Sequence, residues 1–330
     1  IIKKQRTFAI ISHPDAGKTT LTEKFLLYGG AIQQAGQVKA KGDARRSRSD
    51  FMKLEKERGI SVSTSAMAFA YNSFWINLVD TPGHSDFSED TYRTMTAVDS
   101  SIMVIDGAKG VESQTKKLFE VCRLRDLPII TFCNKMDRES RDNFEIIDEI
   151  QELLTIDVTP MNWPVGTGKD FLGTYDLINN KINIMNRENR NIKDSNIVIN
   201  GLSDPEISKY IPKHVLNVLQ QEVAMVQGLL PEFNYEMFIS GNLTPLWFGS
   251  AINSFGVKEL LNGIIQFAPP PQPRLTLTRS IEPSEKPVTG FVFKVQANMD
   301  HKHRDRVAFV RLCSGNFKRG MKLNHTRSNK

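Results

Sequence analysis

Cysteine is scarce in this 330-residue sequence: Cys122, Cys133 and Cys313 are the three, and they lie far apart. That number and spacing exclude a disulfide framework and a cysteine-ligated metal cluster, and buried reduced thiols are the expected state. No stretch approaches the ~18 consecutive apolar residues needed to span a bilayer, and no signal-peptide pattern is visible. A helical membrane protein and a secreted scaffold are thereby set aside, and a cytoplasmic protein with no membrane partner is expected. No internal repeat is present, so a solenoid is not expected. Acidic residues are what the C-terminal part lacks. From Arg274 onward there are 13 Lys and Arg against 4 Asp and Glu, whereas the first 273 residues hold 30 against 33. Two readings of that basic tail stand side by side: contact with an anionic partner, nucleic acid first, or a solvated surface whose acidic complement lies beyond Lys330. A chain opening on Ile1 and stopping in a charged stretch at Lys330 is expected to be a fragment.

The length suffices for a large core and two domains. Apolar runs with strand character recur at Phe8–Ile11, 65–71, 75–80, 102–106, 128–133 and 245–248. Helix-forming segments fall between several of them, at 20–28, 85–97 and 112–125, where Val111, Leu118, Val121 and Cys122 make a helical stripe. Strands at 65–71 and 75–80, separated by Asn72-Ser73, read as a hairpin. Val257, Leu260, Leu261, Ile264 and Ile265 give a complete i, i+3, i+4, i+7, i+8 stripe. Such alternation predicts an α/β domain with a mainly parallel sheet over residues 1–268, helices on both faces, and ligands at the carboxyl ends of the strands. The pattern loosens at about 155–243, read as an insertion, with a surface loop at 186–196 and helices at 205–229 and 235–240. Ala268-Pro269-Pro270-Pro271-Gln272-Pro273 is a stiff connector. Residues 274–330 then alternate like strands and read as the beginning of a β-barrel domain.

Each chemically suggestive motif directly follows a strand. Ser12-His13-Pro14-Asp15-Ala16-Gly17-Lys18-Thr19-Thr20 links the first strand to a helix, as a phosphate-binding loop requires: backbone N–H groups converge in one concavity at a helix N-terminus. Lys18 is placed to reach β- and γ-phosphates and the Thr19 hydroxyl to hold Mg²⁺. Ser12 stands where the pattern G-x-x-x-x-G-K-[ST] has its first Gly, which is acceptable if its φ is negative. Asp80 ends a strand, so its carboxylate can approach Mg²⁺ through a water. Gly83, lacking a side chain, can bring its N–H against a γ-phosphate. In Asn134-Lys135-Met136-Asp137 the carboxylate of Asp137 can accept from N1–H and the 2-amino group of guanine, an arrangement adenine does not offer. Asn134 is expected to tether the loop and contact the base edge, the Lys135 stem to lie along the base, and the Ala251 N–H, after Ser250, to reach the guanine oxygen.

This ordered set, with Arg58-Gly59-Ile60-Ser61 between the first two motifs, resembles the translational GTPases. Within that family the chain is most similar to the branch of bacterial peptide chain release factor three. The supporting stretches are residues 9–20, Ser88-Glu89-Asp90-Thr91-Tyr92-Arg93-Thr94, and Gly290 to Asp300 continuing through His303 to Phe309. Ser12 is expected in this branch. The resemblance implies a ribosome-stimulated GTP hydrolase that uses GTP/GDP and Mg²⁺. It implies His84 as the residue orienting the attacking water, Ser61 as a further Mg²⁺ hydroxyl, and the ribosome and class I release factors as partners. It also implies more β structure and another α/β domain after Lys330. An elongation factor G-like or ribosome-protection role, and a guanine-nucleotide sensor with negligible hydrolysis, remain as alternatives; Asp137 argues against a P-loop kinase.

Other features have plain readings. Asp43–Arg48 reads equally as an RNA contact or a solvated loop, and His301, His303, Arg304 and Arg306 as a contact or an interstrand turn. No aromatic platform accompanies them, so neither sequence-specific RNA recognition nor DNA binding is expected. Tyr71, Trp75, Trp163 and Trp247 are expected as core or sheet residues.

Overall fold

The structure, a computed structural model, describes residues 2–31, 65–81, 88–184, 197–297 and 306–328. Seven strands make the central sheet: β1 (Gln5–Ser12), β2 (Ser65–Tyr71), β3 (Phe74–Asp80), β4 (Ser100–Asp106), β5 (Ile129–Asn134), β6 (Asp157–Pro160) and β11 (Leu243–Phe248). Their order across the sheet is β2-β3-β1-β4-β5-β11-β6. All neighbours are parallel except β2, which runs antiparallel to β3. Asn72 and Ser73 close that hairpin with φ of 45° and 65°, the positive pair that a type I′ turn requires.

The helices are α1 (Lys18–Tyr28), α2 (Ser88–Met95), α3 (Ser113–Arg123), α4 (Asn143–Leu154), α5 (Ile207–Tyr210), α6 (Lys213–Leu229), α7 (Tyr235–Ile239) and α8 (Val257–Phe267). Strand alternation decides where they pack. Phe8 and Ile10 of β1 meet Leu21 and Phe25 of α1 and Leu260, Leu261 and Ile264 of α8. Ala9 and Ile11, pointing the other way, join Leu118 and Phe119 of α3 and Ile146, Ile147 and Ile150 of α4. Both faces are therefore covered, which is why β1, β4 and β5 are near-continuous apolar runs. Trp163 and Trp247 are buried within strands, while Trp75 on β3 is half exposed. All three cysteines are free and buried. Burial pushes the Cys122 thiol up to about 12 and also raises Cys133.

Within residues 155–243 the structure holds more order than the loosened pattern suggested. β6 is an edge strand of the central sheet, and β7 (Asn162–Val165), β8 (Gly173–Asp176), β9 (Lys181–Ile184) and β10 (Ile197–Ile199) form a second, antiparallel sheet. Strands of three or four residues carry too little alternation to be read from sequence. The single helix expected at 205–229 is broken into α5 and α6. Pro212 lacks an N–H, and Ile211 before it is extended, with φ −117° and ψ 121°. The loop expected at 186–196 lies outside the described residues.

Beyond the Pro-rich connector, β12 (Arg274–Leu275) pairs with β13 (Ser280–Ile281), and β14 (Thr289–Ala297) with β15 (Arg306–Ser314). The described residues thus form a smaller β-rich segment of two two-stranded sheets, without the continuous pairing that closes a barrel. Its basic surplus is not all surface charge. Arg311 donates from one terminal nitrogen to both oxygens of buried Asp99, at 3.0 and 2.8 Å, and Arg274 reaches the same carboxylate at 3.2 Å. Of the basic cluster at 301–306, only Arg306, an exposed residue, is described; Asp43–Arg48 lies outside the described residues. Among the described residues, no helix is long and apolar enough to cross a membrane.

Candidate functional site

β1 ends at Ser12 and α1 begins at Lys18, leaving a tight five-residue connection. Its backbone is turned by Asp15 at φ 66° and Gly17 at φ 104°. Ser12 is not among the positive-φ residues, so a side chain is tolerated where the common motif has Gly; the residue is buried, and its Oγ has no partner among the described residues. Gly17 is needed twice over. Its left-handed conformation disfavours a side chain, and a Cβ there would run into the Asn134 side-chain amide. Lys18 is buried, while Thr19 and Thr20 are half-buried in the first turn of α1.

Asn134, the last residue of β5, ties the site together. Its Nδ2 donates to the Ala16 carbonyl at 2.8 Å, and its Oδ1 accepts the Ala251 N–H at 2.8 Å. One side chain thus fastens the phosphate loop to the Ser250-Ala251 loop. The Ala251 N–H, expected at a guanine oxygen, donates to Asn134 in this structure. Ser250 likewise uses its hydroxyl within its own loop, accepting from Asn253 Nδ2 at 3.1 Å. Lys135 has φ 71°, an uncommon state for lysine that costs on the order of 1–3 kcal/mol. Its ammonium lies 2.6 Å from Asp106 Oδ2. Asp137 Oδ1 is buried without a partner among the described residues. A buried carboxylate oxygen left open in this way needs a donor, and the N–H groups of guanine are such donors. The site fits a guanine nucleotide on one local observation, that orphaned oxygen of Asp137.

Asp80 is the last residue of β3, in register with Ile10 of β1. Thr81 Oγ1 donates to the Ile10 carbonyl at 2.6 Å, which holds the chain just past Asp80 against β1. Ser61, Gly83 and His84 lie outside the described residues. Among those described, no group of three or more His, Cys, Asp or Glu side chains is arranged to hold a metal. The Mg²⁺ set expected from Thr19, Ser61 and Asp80 is of a different kind, dominated by hydroxyls and water.

Glu112, Thr81 and Asp106 were not foreseen as participants. His13, assigned to nucleotide, has Nε2 3.3 Å from Glu112 Oε1, and Lys109 approaches the same oxygen at 3.6 Å. Thr81 and Asp106 each follow or end a strand beside the phosphate loop, and position at a strand's carboxyl end is the one signal that could have found them. The partner of each is remote in sequence.

Residues 3–270 match the family described as elongation factor Tu GTP binding domain, and residues 287–330 match elongation factor G domain 2. A crystal structure of a Thermus thermophilus protein is similar at a TM-score of 0.73 and 22% identity, covering 97% of this chain. The chain spans 47% of that protein's length. At such identity the likeness speaks for the fold alone. With most of its length in the family match, the chain belongs to the elongation factor Tu GTP binding domain family, within the superfamily of translational GTPases.

Proposed function

We propose that this protein is a ribosome-dependent GTPase of translation termination that promotes dissociation of class I release factors after the peptide has been released. The observation carrying the nucleotide part is the convergence of the Ser12–Thr20 loop, the Asn134–Asp137 loop and Ser250-Ala251 at one edge of the sheet, joined through Asn134. In this reading Lys18 and the N–H groups of the first turn of α1 hold the phosphates, and Asp137 selects guanine. Thr19, Ser61 and Asp80 would hold Mg²⁺, Asp80 through a water. Bound there, the ion would neutralise charge developing on the phosphates. Gly83 would meet the γ-phosphate, and His84 would orient the attacking water once the ribosome holds it in place. Positioning and electrostatics carry nearly all of phosphoryl-transfer catalysis, so turnover without the ribosome should be slow.

The termination role is supported by the sequence stretches 88–94 and 290–309. An elongation factor G-like role is the competing reading, favoured by the match of residues 287–330 to elongation factor G domain 2. Multiple-turnover GTP hydrolysis with and without ribosomes, with class I release factor recycling followed in the same reaction, separates the two. Ribosome-stimulated turnover with recycling supports the termination role. Stimulated turnover that drives translocation instead would replace it, and no stimulation would remove both.

A further inference from the structure

Lys135 and Asp106 form a nearly enclosed ion pair: the ammonium is 2.6 Å from Oδ2, with 21% of the lysine side chain and 5% of the aspartate side chain exposed. Asp106 is itself fixed. Its Oδ1 accepts the Ala108 N–H at 3.0 Å, and its carbonyl accepts from the N–H groups of Lys109 and Gly110 at 3.0 and 2.8 Å. The Gly107 N–H donates to the Asn134 carbonyl at 2.9 Å, so the turn after β4 is stitched to the residue before Lys135. β4 and β5 place Asp106 directly beside Asn134 in register. The lysine is therefore held at both ends, by its left-handed backbone and by its ammonium.

A lysine beside a binding pocket ordinarily samples many rotamers, and ordering it on ligand arrival subtracts from affinity. Here the backbone and the ammonium at the two ends of the stem are already fixed, two residues before Asp137 with its unpartnered oxygen. An apolar stem with its charge turned away suits the face of a purine ring. We propose that Asp106 is a positioning residue for the nucleotide base, acting through Lys135 to pre-order the stem against which the ring lies. The inference rests on the guanine-nucleotide reading above and deepens it. Because the stem meets the base and not the phosphates, di- and triphosphates should be affected alike.

The test is equilibrium titration of ribose-labelled fluorescent GDP, and of a similarly labelled non-hydrolysable GTP analogue, into wild type, Asp106→Asn, Lys135→Met and the double variant. Each single change should raise both dissociation constants roughly three- to tenfold, the equivalent of ordering one long side chain. The double variant should be no weaker than Lys135→Met. Losses that multiply in the double variant would overturn the proposal, as would a loss confined to one of the two nucleotides. So would a fall in the melting temperature of nucleotide-free Asp106→Asn with unchanged dissociation constants, the signature of a merely structural pair. Should Asp106→Asn not fold, Lys135→Met carries the test, and unchanged affinity there counts against the proposal. Asp137→Asn in the same titration keeps the two readings apart. If it leaves GDP affinity intact, the base site itself has failed; if it abolishes affinity while the other variants bind normally, only the role of Asp106 has failed.

Discussion

Replacing Asp99 with alanine should destabilise the protein by about 3–5 kcal/mol, the usual consequence of removing one partner from a buried ion pair. The Asp99 side chain is fully buried and that of Arg311 is 9% exposed. Burial pushes the Asp99 carboxyl up, and the guanidiniums of Arg311 and Arg274 pull it back. Without the carboxylate, Arg311 keeps its bonds to the Ala97 carbonyl at 2.8 Å and the Leu312 carbonyl at 3.2 Å, and remains a largely dehydrated cation. Arg274 is 28% exposed, so it can recover water, and its share of the loss should be small. Arg311→Met alone should be milder, because Asp99 retains Arg274 and the Gln272 N–H. The double variant Asp99→Ala/Arg311→Met removes both charges, and its loss should fall short of the sum of the singles by about 2 kcal/mol. Urea denaturation followed by tryptophan fluorescence measures these differences. Limited proteolysis should show the connector at 268–273 cut faster in Asp99→Ala, because both arginines hold the β-rich segment to the turn before β4. Additive losses, or an Asp99→Ala variant within about 0.5 kcal/mol of wild type, would refute the reasoning.

Four further outcomes are expected. Lys18→Ala should weaken GTP binding at least about a hundredfold through lost charge-assisted bonds, and unchanged affinity by calorimetry would remove the phosphate-loop assignment. Asp137→Asn should shift preference from guanine toward xanthine nucleotides; a variant still preferring GTP in competition binding contradicts the base-site reading. His84→Ala should leave nucleotide binding intact while eliminating ribosome-stimulated hydrolysis, and persistent turnover would show that another group orients the water. Glu222 accepts the indole N–H of Trp163 at 2.8 Å, and burial holds its carboxyl above its ordinary value of 4.5. The folded state therefore keeps that proton more tightly than the unfolded chain, so stability from this group is present below 4.5 and declines as pH rises through the folded value. Glu222→Gln keeps an acceptor for Trp163 and should flatten the melting temperature over that window; an unchanged pH profile would contradict the assignment.

The local elements of this protein were legible in its sequence. Gly17-Lys18-Thr19 between an apolar strand and a helix, Asn134–Asp137 after another strand, and the stripe from Val257 to Ile265 depend on neighbours in the chain. Spacing therefore specifies them. The Asn72-Ser73 hairpin was legible for the same reason, since two residues decide that turn. Tertiary structure decided what those segments do to one another. Strand order sets β1 between β3 and β4, and only then does Thr81 find the carbonyl of Ile10. Asn134 reaches Ala16 and Ala251, more than a hundred residues away in either direction, and so joins two loops that the sequence holds apart. Lys135 with Asp106, His13 with Glu112 and Arg311 with Asp99 are likewise pairs without a local signature. A charge in a sequence does not say whether it faces water or a buried partner; packing makes that choice. The β6 edge strand and the small second sheet went unseen because three or four residues cannot express a period, and their pairing partners supply the order they lack.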